Sequence, residues 1–169
     1  GTLGLVLTVA LGAAFDVGTR RIPNFITVGG FAVALVLRVS TGGVDALVGG
    51  LLGALLAFLL AFPLFMLKGM DGGDVKLLTA AGAFLGPYKT FVALLATALV
   101  GGVLAIAVSL YRRRLGTSLA GTFTVMRGLA LKALSGGEVD AVPTLETKGA
   151  VTVPYGVAIA TGSVIGLLW

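Results

Sequence analysis

Six apolar runs, separated by short charged or glycine-rich breaks, leave this chain few folds to choose from. They cover about 1–15, 25–39, 44–67, 75–86, 89–110 and 150–168. A helix needs roughly 20 apolar residues to cross a hydrocarbon core of about 30 Å. Only helices and closed barrels satisfy their backbone polar groups inside such a core, and these runs lack the alternation of barrel strands. The expected fold is therefore all-α: a polytopic membrane bundle of about six transmembrane helices in one domain spanning 1–169. Composition agrees, with 57% hydrophobic and 11% charged residues and a mean hydropathy of +1.10. Soluble domains carry roughly 25% charged residues, so too little polar surface remains to cover a water-soluble globule. The fourth run, about 12 residues or roughly 18 Å of helix, is either a short span inside the bundle or a helix that begins below the membrane surface.

The charges orient the bundle. With the N-terminus outside, the inner segments hold Arg20, Arg21, Lys68, Lys76, Arg112, Arg113, Arg114, Arg127, Lys132 and Lys148, while the outside keeps Arg38 and Lys89. That bias follows the positive-inside rule and puts both termini outside. Asp16, Asp71 and Asp74 then fall on the cytoplasmic side, and Asp45 on the other. The net charge of +5 is read in the same way, so no nucleic-acid partner is expected. The first run resembles a signal-peptide core, but it lacks a basic n-region and a cleavage site of small residues. It is read as a membrane helix, and whether residues precede Gly1 is left open.

Several chemistries are closed to this chain. It has no Cys and no His, which removes thiol nucleophiles, disulfides, zinc–thiolate sites and imidazole bases. It has no phosphate-binding G-x-x-x-x-G-K-[ST] loop. No cofactor and no metal are implied. Carboxylates, lysines and hydroxyls must carry any reaction. Glycines four apart, Gly49/Gly53, Gly82/Gly86 and Gly162/Gly166, suit close helix packing in lipid. The polar stretch at about 111–148 reads as a cytoplasmic loop, with Met126, Leu129, Ala130, Ala133 and Leu134 at the spacing of an interfacial helix.

Two charged knots interrupt the runs: Phe15-Asp16 through Asn24, and Lys68 through Lys76. A carboxylate at membrane depth usually lines a cavity or pathway. Asp16 ends the first run and Asp74 precedes the fourth, so antiparallel neighbours would bring them to equal depth. Two carboxyls in one site share a proton, as a water-activating peptidase requires: the ionised partner takes a proton from water and the protonated one polarises the scissile carbonyl. Gly72 and Gly73 would let an extended substrate backbone approach. The plainer readings are that Asp74 caps a helix beginning at Val75 and that Asp16 is a solvated helix-end residue balancing Arg20 and Arg21. Lys76 is either an interfacial lysine or a charge that tunes Asp74 or steers an acidic substrate group.

The stretch Gly69-Met-Asp-Gly-Gly-Asp74-Val-Lys76-Leu-Leu78 resembles the G-x-G-D-x-K-L signature of type IV prepilin peptidases. Asp16 followed by Arg21-Ile-Pro23-Asn24 resembles their first catalytic aspartate with its downstream I-P-N, and Val153-Pro-Tyr-Gly-Val-Ala-Ile-Ala160 resembles their last helix. The similarity covers essentially the whole chain and is to the short form found with Tad/Flp pili, without the methyltransferase region. It implies a membrane aspartic endopeptidase of the bacterial inner membrane. Such an enzyme cuts the basic leader from a prepilin or pseudopilin after a Gly at the cytoplasmic face, with Asp16 and Asp74 as catalytic pair. Gly72, Gly73, Lys76, Pro23 and Asn24 would shape the site. The chain departs from the pattern at Asp71, where the first motif Gly belongs: a third carboxylate there adds negative charge beside Asp74. The competing readings are a small transporter or proton-relay subunit using paired aspartates, and a structural subunit of a secretion apparatus. The oligomeric state is left open.

Overall fold

A computed structural model describes residues 1–19, 21–67, 69–111 and 155–169. Among these the regular structure is entirely helical: α1 (Thr2–Thr19), α2 (Asn24–Met66), α3 (Gly72–Leu85), α4 (Pro87–Tyr111) and α5 (Tyr155–Leu168). The expected interfacial helix within 111–148 lies outside the described residues from 112 onward, as do Arg20 and Lys68.

Proline and glycine set the breaks. Pro23 disfavours a helical Ile22, so α1 has stopped by Thr19, and Pro23 itself, at φ −62° and ψ 138°, stands at the N-cap of α2. α3 ends at Gly86, whose φ of 78° is costly for other residues and whose N–H returns to the Gly82 carbonyl at 2.9 Å. Pro87 then opens α4, a first-turn position where its missing N–H costs nothing.

α2 is folded, not straight. Gly42 and Gly43 leave the helical region, Gly43 with φ 65°. Ala34 and Ala54 belong to one buried cluster with Ala83, although 20 helical residues would span about 30 Å. The halves 24–41 and 44–66 therefore lie side by side, matching the second and third apolar runs. The other helices also follow the runs, with two informative shifts. α1 carries on through Asp16 to Thr19, and α3 begins at Gly72, ahead of the expected 75.

α3 is the central helix. Nine of its fourteen residues are buried, against α1, both halves of α2, α4 and α5. Its shortness follows from that position: protein, not lipid, surrounds most of it. Among the described residues, α1, α2 and α4 are the three helices long and apolar enough to cross a membrane, and their outward faces expose residues such as Leu3, Leu55 and Leu99.

Backbone-to-backbone crossings hold α3 in place. A Cβ on Gly53 would meet the Gly82 carbonyl and lie 2.8 Å from Gly86 Cα, and one on Gly82 would meet the Gly53 carbonyl carbon at 2.9 Å. Gly162 and Gly166 of α5 sit equally tightly against Ala93 and its neighbours on α4. Of the glycines paired by spacing, Gly49 alone does not mark a crossing; among the described residues only the Arg38 side chain lies within 4 Å of a Cβ placed there.

Arg38 clamps the end of the bundle where α2 turns back. Its guanidinium donates to the Ala83 carbonyl at 3.0 Å, to Phe84 at 2.9 Å and, across the fold in α2, to Ala46 at 3.3 Å. The first two are orphan carbonyls at the C-terminus of α3, where a cation also suits the helix dipole. Lys89 does the same for α5, donating to the Leu167 carbonyl at 2.8 Å. Arg38→Met is expected to cost about 3 kcal/mol, since bonds from charged donors are worth about 1.5–3 kcal/mol each. Arg38→Lys should recover only part, because one ammonium cannot fork across several carbonyls. The unfolding midpoint in detergent measures both.

Candidate active site

The opposite end of the bundle gathers the C-terminus of α1 and the N-termini of α2, α3 and α5. Gly12 of α1 packs against Leu77 of α3 so closely that a Cβ would lie 2.7 Å from the Leu77 methyls. Asp16 is one turn from Gly12 on the same face, and Asp74 nearly one turn from Leu77. Because the two helices run in opposite directions, this contact sets the two aspartates opposite each other at the same level.

Asp74 is not a helix cap. The capping position belongs to Asp71, whose backbone carbonyl accepts from the N–H of Asp74 at 3.1 Å and of Val75 at 3.3 Å, and whose side chain makes no cap bond. Asp74 stands in the first turn, just ahead of the apolar run that begins at Val75. It is 4% exposed, and among the described residues its Oδ1 is buried with no hydrogen-bond partner. Burial, then the charge of Asp16, then that of Asp71 push the Asp74 carboxyl up to about 7, against an opposing backbone hydrogen bond from Asp71. A carboxyl held this way keeps a proton near neutrality.

Asp16 is half-buried and is fixed from α5. The N–H of Gly156 donates to its Oδ2 at 2.8 Å. Gly is required there, because a Cβ would lie 2.8 Å from Asp16 Cβ and 3.1 Å from Ala13 Cα. The neighbouring Tyr155 lies within electrostatic reach of Asp74 and packs on the buried cluster containing Met70, Val75 and Ile159. Tyr155 and Gly156 were given no role from the sequence. The Pro-Tyr-Gly at the start of the last apolar run was the signal, but its partner lies 140 residues away.

The remaining site candidates fall around this pair. Gly73 lies against Ile22, where a Cβ would come within 3.2 Å of Ile22 Cβ, and Gly72 faces the Phe65 ring. Pro23 starts α2. Lys76 is turned to Asn24, donating from Nζ to Oδ1 at 3.0 Å, and the charges that shift Asp74 are those of Asp16 and Asp71. Asp71 is exposed with φ −79°, an ordinary conformation for any residue, so its backbone does not demand the glycine of the related motif.

A half-exposed carboxyl beside a buried one whose pKa is raised to about 7 is the combination that acid–base chemistry uses. The family model of the type IV leader peptidase family matches residues 3–106. The chain belongs to this family. No individual curated protein and no solved structure matches it. The matched residues run from α1 into α4 and hold both aspartates, while the amide that grips Asp16 comes from α5, beyond them. As a leader peptidase the chain is a hydrolase, and its long apolar helices make it a membrane protein.

Proposed function

We propose that this leader peptidase is a membrane aspartic endopeptidase that removes the basic leader from type IV prepilins of the Tad/Flp kind, with Asp16 and Asp74 as its catalytic pair. The observation that carries the reading is the buried Asp74 carboxyl, whose Oδ1 has no hydrogen-bond partner among the described residues, set opposite an Asp16 held by the Gly156 amide. With Asp74 holding the shared proton, Asp16 is left to take a proton from water. The resulting hydroxide adds to the scissile carbonyl while Asp74 gives its proton to the carbonyl oxygen. The diol then collapses: Asp16 passes its proton to the leaving nitrogen as the C–N bond breaks, and a diol hydroxyl returns a proton to Asp74. Gly72 and Gly73 leave room for an extended substrate backbone beside Asp74.

The same reading makes α1, the two halves of α2, the apolar part of α3, α4 and α5 six membrane segments with both termini outside. The aspartate end faces the cytoplasm of a bacterial inner membrane. In support, Arg38 and Lys89 cap helices at the other end, while among the described residues the other basic side chains, Arg21 and Lys76, stand at the aspartate end, as the positive-inside rule requires.

The test is a synthetic peptide with a basic leader, a Gly and an apolar segment, given to the detergent-purified chain and followed by mass spectrometry. A single cut after the Gly is expected; no cut, or cuts scattered along the peptide, would refute the assignment. The rate should fall as pH rises through about 7, where Asp74 loses its proton. Asp71→Gly removes one of the charges that raise Asp74 and should move that decline to lower pH while leaving cleavage intact at pH 6. An unmoved decline would show that Asp74 does not govern it.

A further inference from the structure

We infer that Lys76 is a positioning residue, whose bond to Asn24 latches the start of α2 onto α3 and so holds Asp16 opposite Asp74; this rests on the peptidase reading above. The bond joins residues 52 apart, Nζ to Oδ1 at 3.0 Å. Asn24 is the first residue of α2, and its own turn is tied down by Thr27, whose Oγ1 donates to the Asn24 carbonyl at 3.1 Å. Ile22, two residues earlier, packs on Gly73 beside Asp74. The end of the connection from α1 to α2, at Ile22 and Asn24, is thus docked on the first two turns of α3 by an apolar contact and a polar bond. Asp16 lies at the near end of that connection. It is gripped on its other side by the Gly156 amide, so the latch and α5 restrain it from two directions.

Position 76 also explains what Lys76 does not do. Residues two apart on a helix point to different faces, and Lys76 does so here: it faces α2 while Asp74 faces the interior. An exposed lysine beside a catalytic pair invites a role in binding a substrate carboxylate, but its ammonium already meets an acceptor from the chain itself. A misplacement of about 1 Å in a catalytic group can cost about a hundredfold in rate, so a latch on one member of the pair should be read in turnover and not in affinity.

Steady-state cleavage of the leader peptide by Lys76→Met, Asn24→Ala and the double variant tests this. Each single variant is expected to lower kcat about tenfold with KM nearly unchanged, and the double variant to be no worse than either, as for two residues acting as a unit. Asn24→Asp keeps an acceptor for the ammonium and should stay within about threefold of the parent. A rise in KM at unchanged kcat, or effects that multiply in the double variant, would overturn the latch in favour of direct substrate contact. A second measurement does not depend on cleavage. The chain has no Cys, so spin labels at Val17→Cys and Met66→Cys, both exposed, report how α1 sits against the end of α2. Lys76→Met should broaden that distance distribution, and an unchanged distribution would refute the latch. If the parent chain fails to cut the peptide, the peptidase reading falls, and the spin-label comparison still decides the latch.

Discussion

Asp74→Asn is expected to abolish cleavage of a leader peptide and, at the same time, to make the protein more stable at alkaline pH. The loss follows from the mechanism: an amide cannot give its proton to the carbonyl oxygen, and general acid–base catalysis contributes about a hundred- to ten-thousandfold. Asp16→Asn should lose activity to a similar extent, since the remaining carboxyl has no partner to take the proton from water. The gain in stability follows from burial. The Asp74 carboxyl rises from 3.8 to about 7 in the folded chain, so the folded state keeps a proton that the unfolded state releases. A group of this sign destabilises the fold progressively as pH rises from about 4 to about 7, and fully above that. An asparagine is never charged and escapes the penalty. Unfolding in detergent at pH 5 and pH 8 would show a parent that weakens at the higher pH and a variant that does not. Retained cleavage in either asparagine variant would refute the two-aspartate mechanism. A variant that weakens with pH as the parent does would show that Asp74 is not the buried proton carrier.

Gly82→Val is expected to disrupt the fold more than any surface change. Gly82 and Gly53 bring the backbones of α3 and the second half of α2 together, and a Cβ on Gly82 would meet the Gly53 carbonyl carbon at 2.9 Å and Ala57 Cβ at 3.1 Å. No side chain there can swing away to make room, because the obstacles include backbone. Overpacking of a core costs about 1–3 kcal/mol where neighbours can adjust, so about 3 kcal/mol or more is expected here. α3 carries Asp74, so a displaced α3 also separates the aspartates, and activity should fall even in the protein that remains folded. Gly29→Ala is the control: nothing described lies within 4 Å of a Cβ there, and alanine in a helix interior is favoured over glycine by about 1 kcal/mol. Equal stability of the two variants would show that the α2–α3 crossing is looser than its geometry implies.

The helices and their breaks were legible in the sequence because they depend on local physics. A continuous apolar run in lipid has to be helical, Gly42-Gly43 and Gly86-Pro87 offer backbone that helices abandon, and the runs on either side of them are the observed helices to within a few residues. The start of α3 was not legible in the same way. Asp71 and Asp74 are both good capping residues, three apart, and either could begin the helix. The structure uses the earlier one, which turns Asp74 from a solvated cap into a buried carboxyl in the first turn. Lys76 was similarly ambiguous: its nearness to Asp74 in sequence suggested a tuning charge, whereas the turn of the helix carries it to Asn24.

The sequence by itself determined the all-helical class, the exclusion of thiol and imidazole chemistry, and the two charged knots that hold the aspartates. It also determined, through the signature around Asp74, the family to which the chain belongs. Tertiary structure alone decided how those aspartates are held. The Gly12–Leu77 contact sets their level, the Gly156 amide fixes Asp16, and the loss of solvent around Asp74 raises its pKa. Each of these depends on residues far apart in the chain meeting at a given distance. Composition, periodicity and spacing carry no record of such meetings, because they describe only neighbours along the chain.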